Sequence, residues 1–133
     1  RVQKDMYKNT PRRAYFARAL ADSPFPVCYN GDLYTVPALE AFQAEFPAAE
    51  RIMLGRGLAG DPALARKAEG GPAAGREELR AFHDHVFEGY AGAFGSRRNA
   101  MLRMKEIWFY LMGLFEDDGR YAKRLRKASR WSP

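Results

Sequence analysis

The chain is predicted to fold as an α/β segment, the last two βα units of a (β/α)8 barrel (TIM barrel), joined to a C-terminal all-α helical bundle and mostly helical overall. Three observations predict this. Two short apolar runs each close on a glycine-bearing loop, Asn30-Gly31-Asp32 and Gly55-Arg56-Gly57, and each loop opens a helical pattern; strand, loop, helix, strand, loop, helix is the order of consecutive barrel units. The stretch Gly70-Gly71-Pro72-Ala73-Ala74-Gly75 has the composition of a linker. Beyond it, every apolar period is helical. The expected division is therefore 1–69 for the barrel part, 70–75 for the linker and 76–133 for the bundle.

Each element has a local reason. Tyr15, Phe16, Ala19 and Leu20 recur at helical spacing and stop at Asp22-Ser23-Pro24, where the first helix should end. Phe25 to Tyr29 reads as a short buried strand. Thr35 can cap a helix with Pro37 in its first turn and Leu39, Phe42 and Phe46 as its apolar stripe, before Pro47 ends it. Ile52-Met53-Leu54 is the second strand, and Asp61-Pro62 reads as cap and first position of a helix through Ala63-Leu64-Ala65-Arg66-Lys67.

In the bundle, Glu77 and Glu78 suit the first turn of a helix whose Leu79, Phe82, Val86 and Tyr90 share a face. Ser96 is placed to cap a second helix striped by Met101, Met104, Trp108, Leu111 and Phe115. Leu102, Ile107 and Tyr110 on its other faces make it the expected central, most buried helix. Asp117 or Asp118 should cap a last helix with Tyr121, Leu125 and Ala128 inward and Lys123, Arg124, Arg126 and Lys127 outward.

At 133 residues, 47% hydrophobic and 14% aromatic, the chain can bury the core of one ordinary domain. It carries no apolar run of membrane-spanning length, and Arg1, Lys4, Asp5 and Lys8 lack the apolar middle of a signal peptide. The expectation is a soluble, cytoplasmic protein that uses neither membrane nor metal. Arg1-Val2-Gln3-Lys4-Asp5 reads like the middle of a loop, as in the tail of a longer polypeptide. The one cysteine, Cys28, has no partner for an internal disulfide, and Pro26, Val27 and Tyr29 around it favour a buried structural thiol over a nucleophile.

The net charge of +6 is concentrated at one end: residues 1–95 hold 12 Lys/Arg and 12 Asp/Glu, residues 96–133 hold 10 and 4. Fixed positive charge on one surface attracts a polyanion and releases its counterions. A solvated basic helix that only keeps the protein soluble has the same composition, and charge alone leaves both readings open.

The two glycine loops are the chemical candidates. Glycine lets a backbone come close to a phosphate, and Arg56 can supply a bidentate fork. Together they point to a nucleotide-like cofactor. The alternative for Asn30-Gly31 is a hairpin turn from Val27-Cys28-Tyr29 into Leu33-Tyr34-Thr35, against which Pro37 and the helical stripe behind it count. His83-Asp84-His85 is no metal motif on a helix, since residues two apart face different ways; His83 is expected to pack and His85 to be exposed.

Three stretches carry a family resemblance. Pro26-Val27-Cys28-Tyr29-Asn30-Gly31-Asp32-Leu33-Tyr34-Thr35, Ile52-Met53-Leu54-Gly55-Arg56-Gly57-Leu58 and Arg103-Met104-Lys105-Glu106-Ile107-Trp108-Phe109-Tyr110-Leu111 resemble the C-terminal part of the tRNA-dihydrouridine synthases. Gln3-Lys4-Asp5-Met6-Tyr7-Lys8 is similar to that family's loop after barrel strand six. The likeness covers nearly the whole chain, about the last two-fifths of an enzyme whose barrel alone takes about 250 residues.

The resemblance implies a flavin enzyme, in which NADPH reduces FMN, the flavin passes hydride to a tRNA uridine, and an active-site cysteine gives the proton. It implies that Asn30, Gly31 and Asp32 form the first FMN-phosphate loop and Gly55 and Arg56 the second. It further implies that the helical tail grips tRNA, as a monomer when full-length; the surplus charge on its helices makes Arg97, Arg98, Arg103, Lys105, Arg124 and Lys127 the contact candidates. Lys105 stands where the family keeps a basic residue, and Glu106 departs from the histidine of many relatives. The family's proton-donating cysteine and its flavin-side lysine and histidine lie upstream of Arg1, and Cys28 is on a different strand. The chain alone is thus expected to be inactive. Two other readings share these residues. Gly55-Arg56 with Asp61-Pro62-Ala63-Leu64 also resembles the tail of FMN-dependent barrels of the old-yellow-enzyme type, and the bundle could be a non-catalytic RNA-binding module.

Overall fold

In the computed structural model, which describes residues 10–116 and 119–127, the chain is mostly helical with a two-stranded parallel sheet. The order is α1 (Arg13–Asp22), β1 (Cys28–Asn30), α2 (Val36–Glu45), β2 (Arg51–Met53), α3 (Arg56–Gly60), α4 (Leu64–Ala68), α5 (Arg76–Phe94), α6 (Arg97–Leu111), a 3-10 turn (Met112–Leu114) and α7 (Arg120–Lys127). One compact unit ends at Gly57 and a second begins at Leu58.

In the first unit, β1 and β2 pair in parallel as Cys28 with Arg51, Tyr29 with Ile52 and Asn30 with Met53. Parallel neighbours need a crossover, and α2 supplies it; the hairpin alternative at Asn30-Gly31 is excluded. Thr35 accepts a hydrogen bond from the Ala38 N–H, and Pro37 sits in the first turn of α2, as the sequence predicts. Phe42 is 0% exposed and holds an aromatic cluster together. Its ring stacks on Tyr29 at 4.1 Å, with Phe46 at 5.1 Å and Phe16 at 5.7 Å. Arg13 of α1 forms an ion pair with Glu45 of α2 over this cluster.

Two expectations fail in this unit. The first strand is Cys28–Asn30 rather than Phe25 to Tyr29, and Phe25 is 76% exposed. Cys28 is exposed, not a buried thiol. Strand side chains alternate, so burying Tyr29 turns both of its neighbours to the other face.

In the second unit, Asp61 does not begin the helix; Pro62 and Ala63 form a turn and α4 starts at Leu64. The Asp61 carboxylate, nearly buried, accepts from the Ala63 N–H at 3.1 Å and from Lys67 Nζ at 2.7 Å. It thus satisfies the backbone as a turn-capping side chain. The 70–75 stretch is fastened rather than loose: Arg66 donates through Nε to the Pro72 carbonyl and through both terminal nitrogens to Glu78, each at 2.9 Å.

The Arg66 hydrogen bond holds the Glu78 carboxyl below its ordinary range. A depressed carboxylate stabilises the fold above its unfolded pKa and loses that contribution as pH falls through its folded value. Arg66→Gln should therefore move the Glu78 titration upward in a carboxyl-carbon NMR titration, and an unchanged midpoint would show that the fork does not act on Glu78.

Helix α5 buries Leu79, Phe82, Val86 and Tyr90 in part, and ends on Gly95 in the left-handed conformation (φ 58°), the geometry glycine tolerates best. Ser96 accepts from the Asn99 N–H and starts α6, which buries Ala100, Met104 and Leu111. Leu102 and Phe115, expected inside, are exposed. Tyr121 is not inward but 62% exposed, and Ala122 and Leu125 are the half-buried residues of α7. Asp117, Asp118 and Ala128 lie outside the described residues, as do Gln3 to Lys8.

Candidate functional site

The parallel register places the C-terminal ends of β1 and β2 side by side, so the chain leaves both strands into the two glycine loops at the same edge of the sheet. Asn30 is the last residue of β1 and pairs with Met53, while Arg56 opens α3. Arg56 Nη2 donates to Asp32 Oδ1 at 2.5 Å, and Tyr34 donates its hydroxyl to the same oxygen at 3.0 Å. The guanidinium also lies over the Tyr34 ring, 5.5 Å from its centroid. Asp32, Tyr34 and Arg56 thus join the two loops into one cluster.

This arrangement assigns the predicted residues different parts. Both side chains of the Asp32–Arg56 pair are about a quarter to a third exposed, and a hydrogen bond to a charged group in such a setting contributes about 1.5–3 kcal/mol. Since a carboxylate repels an anion, the Asp32 side chain can only orient the arginine, and anion binding would fall to Arg56 and backbone N–H groups. Gly31 has a packing reason to be glycine: a Cβ there would sit 2.6 Å from the Tyr29 hydroxyl and 3.1 Å from Pro11 Cβ. Gly55 faces open space, with nothing within 4 Å of an added Cβ. Tyr34 was not singled out from the sequence; its spacing of two from Asp32 was the available signal.

The basic candidates of the second unit are not equivalent. Arg97 forms a two-pronged contact with Glu88, at 2.8 and 3.1 Å, and lies 4.8 Å from the centroid of Phe87. Arg103 pairs with Glu106 at 2.9 Å. Lys105 donates to the Arg126 carbonyl at 3.0 Å, tying α6 to α7. Arg98, Lys123, Arg124, Arg126 and Lys127 are exposed. Arg97 and Lys105 line one hollow, Arg124 lines a neighbouring one, and Arg103 lines a third depression with Phe94 and Leu102.

His83 packs as expected, its ring nearly parallel to Phe87 at 6.4 Å and 5.6 Å from Trp108, while His85 is exposed. Among the described residues no three His, Cys, Asp or Glu side chains gather as a metal-holding group, and no helix is long and apolar enough to cross a membrane. Comparison with protein-family models, with curated proteins and with solved structures gives no match to this chain.

Proposed function

We propose that this chain is the C-terminal portion of an FMN-dependent tRNA-dihydrouridine synthase, which reduces uridine in tRNA with NADPH, as the resemblance of its loops and its central helix implies. The observation that carries the reading is the pairing of Arg56 with Asp32 across two parallel strands, which unites the two loops that the sequence marks as phosphate-binding. The residues fit a phosphate group: one arginine fork, an open approach at Gly55, and a carboxylate that orients the fork. In this reading Arg56 and the backbone at Asn30, Gly31, Asp32 and Gly55 hold the FMN phosphate. The flavin, when bound, supplies the hydride chemistry. The second unit, with most of the surplus positive charge, contributes the surface for tRNA.

In the intact enzyme, Arg56→Ala is expected to weaken FMN binding about 10- to 150-fold, the equivalent of one charge-assisted contact of about 1.5–3 kcal/mol. Flavin content after purification and FMN fluorescence titration measure it. A variant that retains flavin like its parent removes Arg56 from the phosphate site and with it the main support for the reading.

A further inference from the structure

Two hollows lie next to each other in the second unit, of about 470 Å³ and about 450 Å³, and they share Trp108 and Leu125. Both volumes fall within the range of about 300–1,000 Å³ usual for small-ligand clefts. The first is walled by Phe87, His83 and Trp108. Its charges cancel, because Asp84 and Glu88 line it together with Arg97 and Lys105. The second is bounded by Tyr121, Arg124 and Met112.

Charge balance decides what such a place can hold. Two carboxylates beside two cations leave the first hollow without net charge, so nothing in its lining favours an anion over a neutral ligand. Flat aromatic walls with both donors and acceptors at the rim match the faces and edges of a nucleobase instead. Phosphates have a separate track, since Lys123, Arg124, Arg126 and Lys127 are exposed on α7, whose Arg124 also lines the second hollow.

We propose that this aromatic trough receives unpaired bases of a single-stranded RNA segment, one base in each hollow, while the basic side of α7 follows the backbone. The proposal rests on the reading that the chain binds RNA, and it names the part of the RNA that is recognised. Duplex RNA cannot occupy the trough, because its bases are stacked inside the helix and offer no free face.

The test uses the full chain carrying Trp131→Phe, so that Trp108 is the one tryptophan. Hexauridylate is expected to change Trp108 emission saturably, whereas a blunt RNA duplex with the same number of phosphates is not. Tyr121→Ala, at a position 62% exposed, should weaken hexauridylate binding about 5- to 140-fold, the worth of one stacked base, with an unchanged helical circular-dichroism signal. Equal responses to oligomer and duplex, or unchanged hexauridylate affinity in Tyr121→Ala, overturn the proposal. Binding of tRNA without binding of hexauridylate overturns it too, but leaves the RNA reading intact; binding of neither ends both.

Discussion

Phe42→Ala is expected to unfold the first unit while leaving the second folded. Phe42 is fully buried and touches Tyr29, Phe46 and Phe16 through ring contacts, and truncating such a phenylalanine costs about 3–5 kcal/mol. A core of this size rarely supplies more than about 3–5 kcal/mol in total. The loss is therefore comparable with the whole stability of the unit. Amide hydrogen exchange reads the outcome: protection at Tyr29 and Ile52 should vanish in the variant, while that of Met101 to Leu111 in α6 persists. In the parent chain α6 should already be the better protected, because it is a long capped helix with three buried side chains and each strand has three residues. Stronger protection in the strands would reverse this order of stabilities.

The second large effect is expected in the salt dependence of tRNA binding. Arg97 and Arg103 already engage Glu88 and Glu106, so a phosphate could use them only by displacing a carboxylate. Arg98, Lys123, Arg124 and Lys127 are the exposed alternatives. With about four phosphates neutralised, the logarithm of affinity falls against the logarithm of salt with a slope near −3, about a 60-fold loss for a fourfold rise in salt. Replacing Arg124 and Lys127 together by glutamine should make that slope shallower by about 1.5. Helicity is retained, since neither side chain packs inside. Titrations at several salt concentrations measure both slopes, and identical slopes would reduce the basic helix to a solubility feature.

The parts of this fold that were legible in the sequence are those decided by neighbours in the chain. Thr35 with Ala38 and Ser96 with Asn99 are contacts within one turn, and both caps form where expected. Asp61-Pro62 was misread because the same aspartate that caps a helix can close the turn before it, and Lys67 on the following helix is its second partner. Cys28 was misplaced for a related reason: a continuous apolar run from Phe25 carries no alternation, so its inward phase is set only by the rings that receive Tyr29. In the candidate site, the place of each loop between a strand and a helix was readable but not the link between them. Asp32 and Arg56 stand 24 positions apart, and only the parallel pairing of their strands brings them together. The same holds for Arg97 and Glu88, whose pairing depends on how α5 and α6 turn back on each other.

The stacking of Tyr29 on Phe42 has a consequence for how accurately the two loops are aligned. Three residue pairs form too short a ladder to choose between neighbouring alignments by backbone hydrogen bonding. A slip of one position would turn Tyr29 out of the aromatic cluster, put Cys28 or Asn30 in its place, and displace one loop along the other by about 3.3 Å. That is more than the separation between Asp32 and Arg56 can absorb. The ring of Tyr29 therefore acts as a locating pin: it packs against Gly31 of the first loop and on Phe42 behind it, and the tolerance of the loop pair is inherited from that apolar contact.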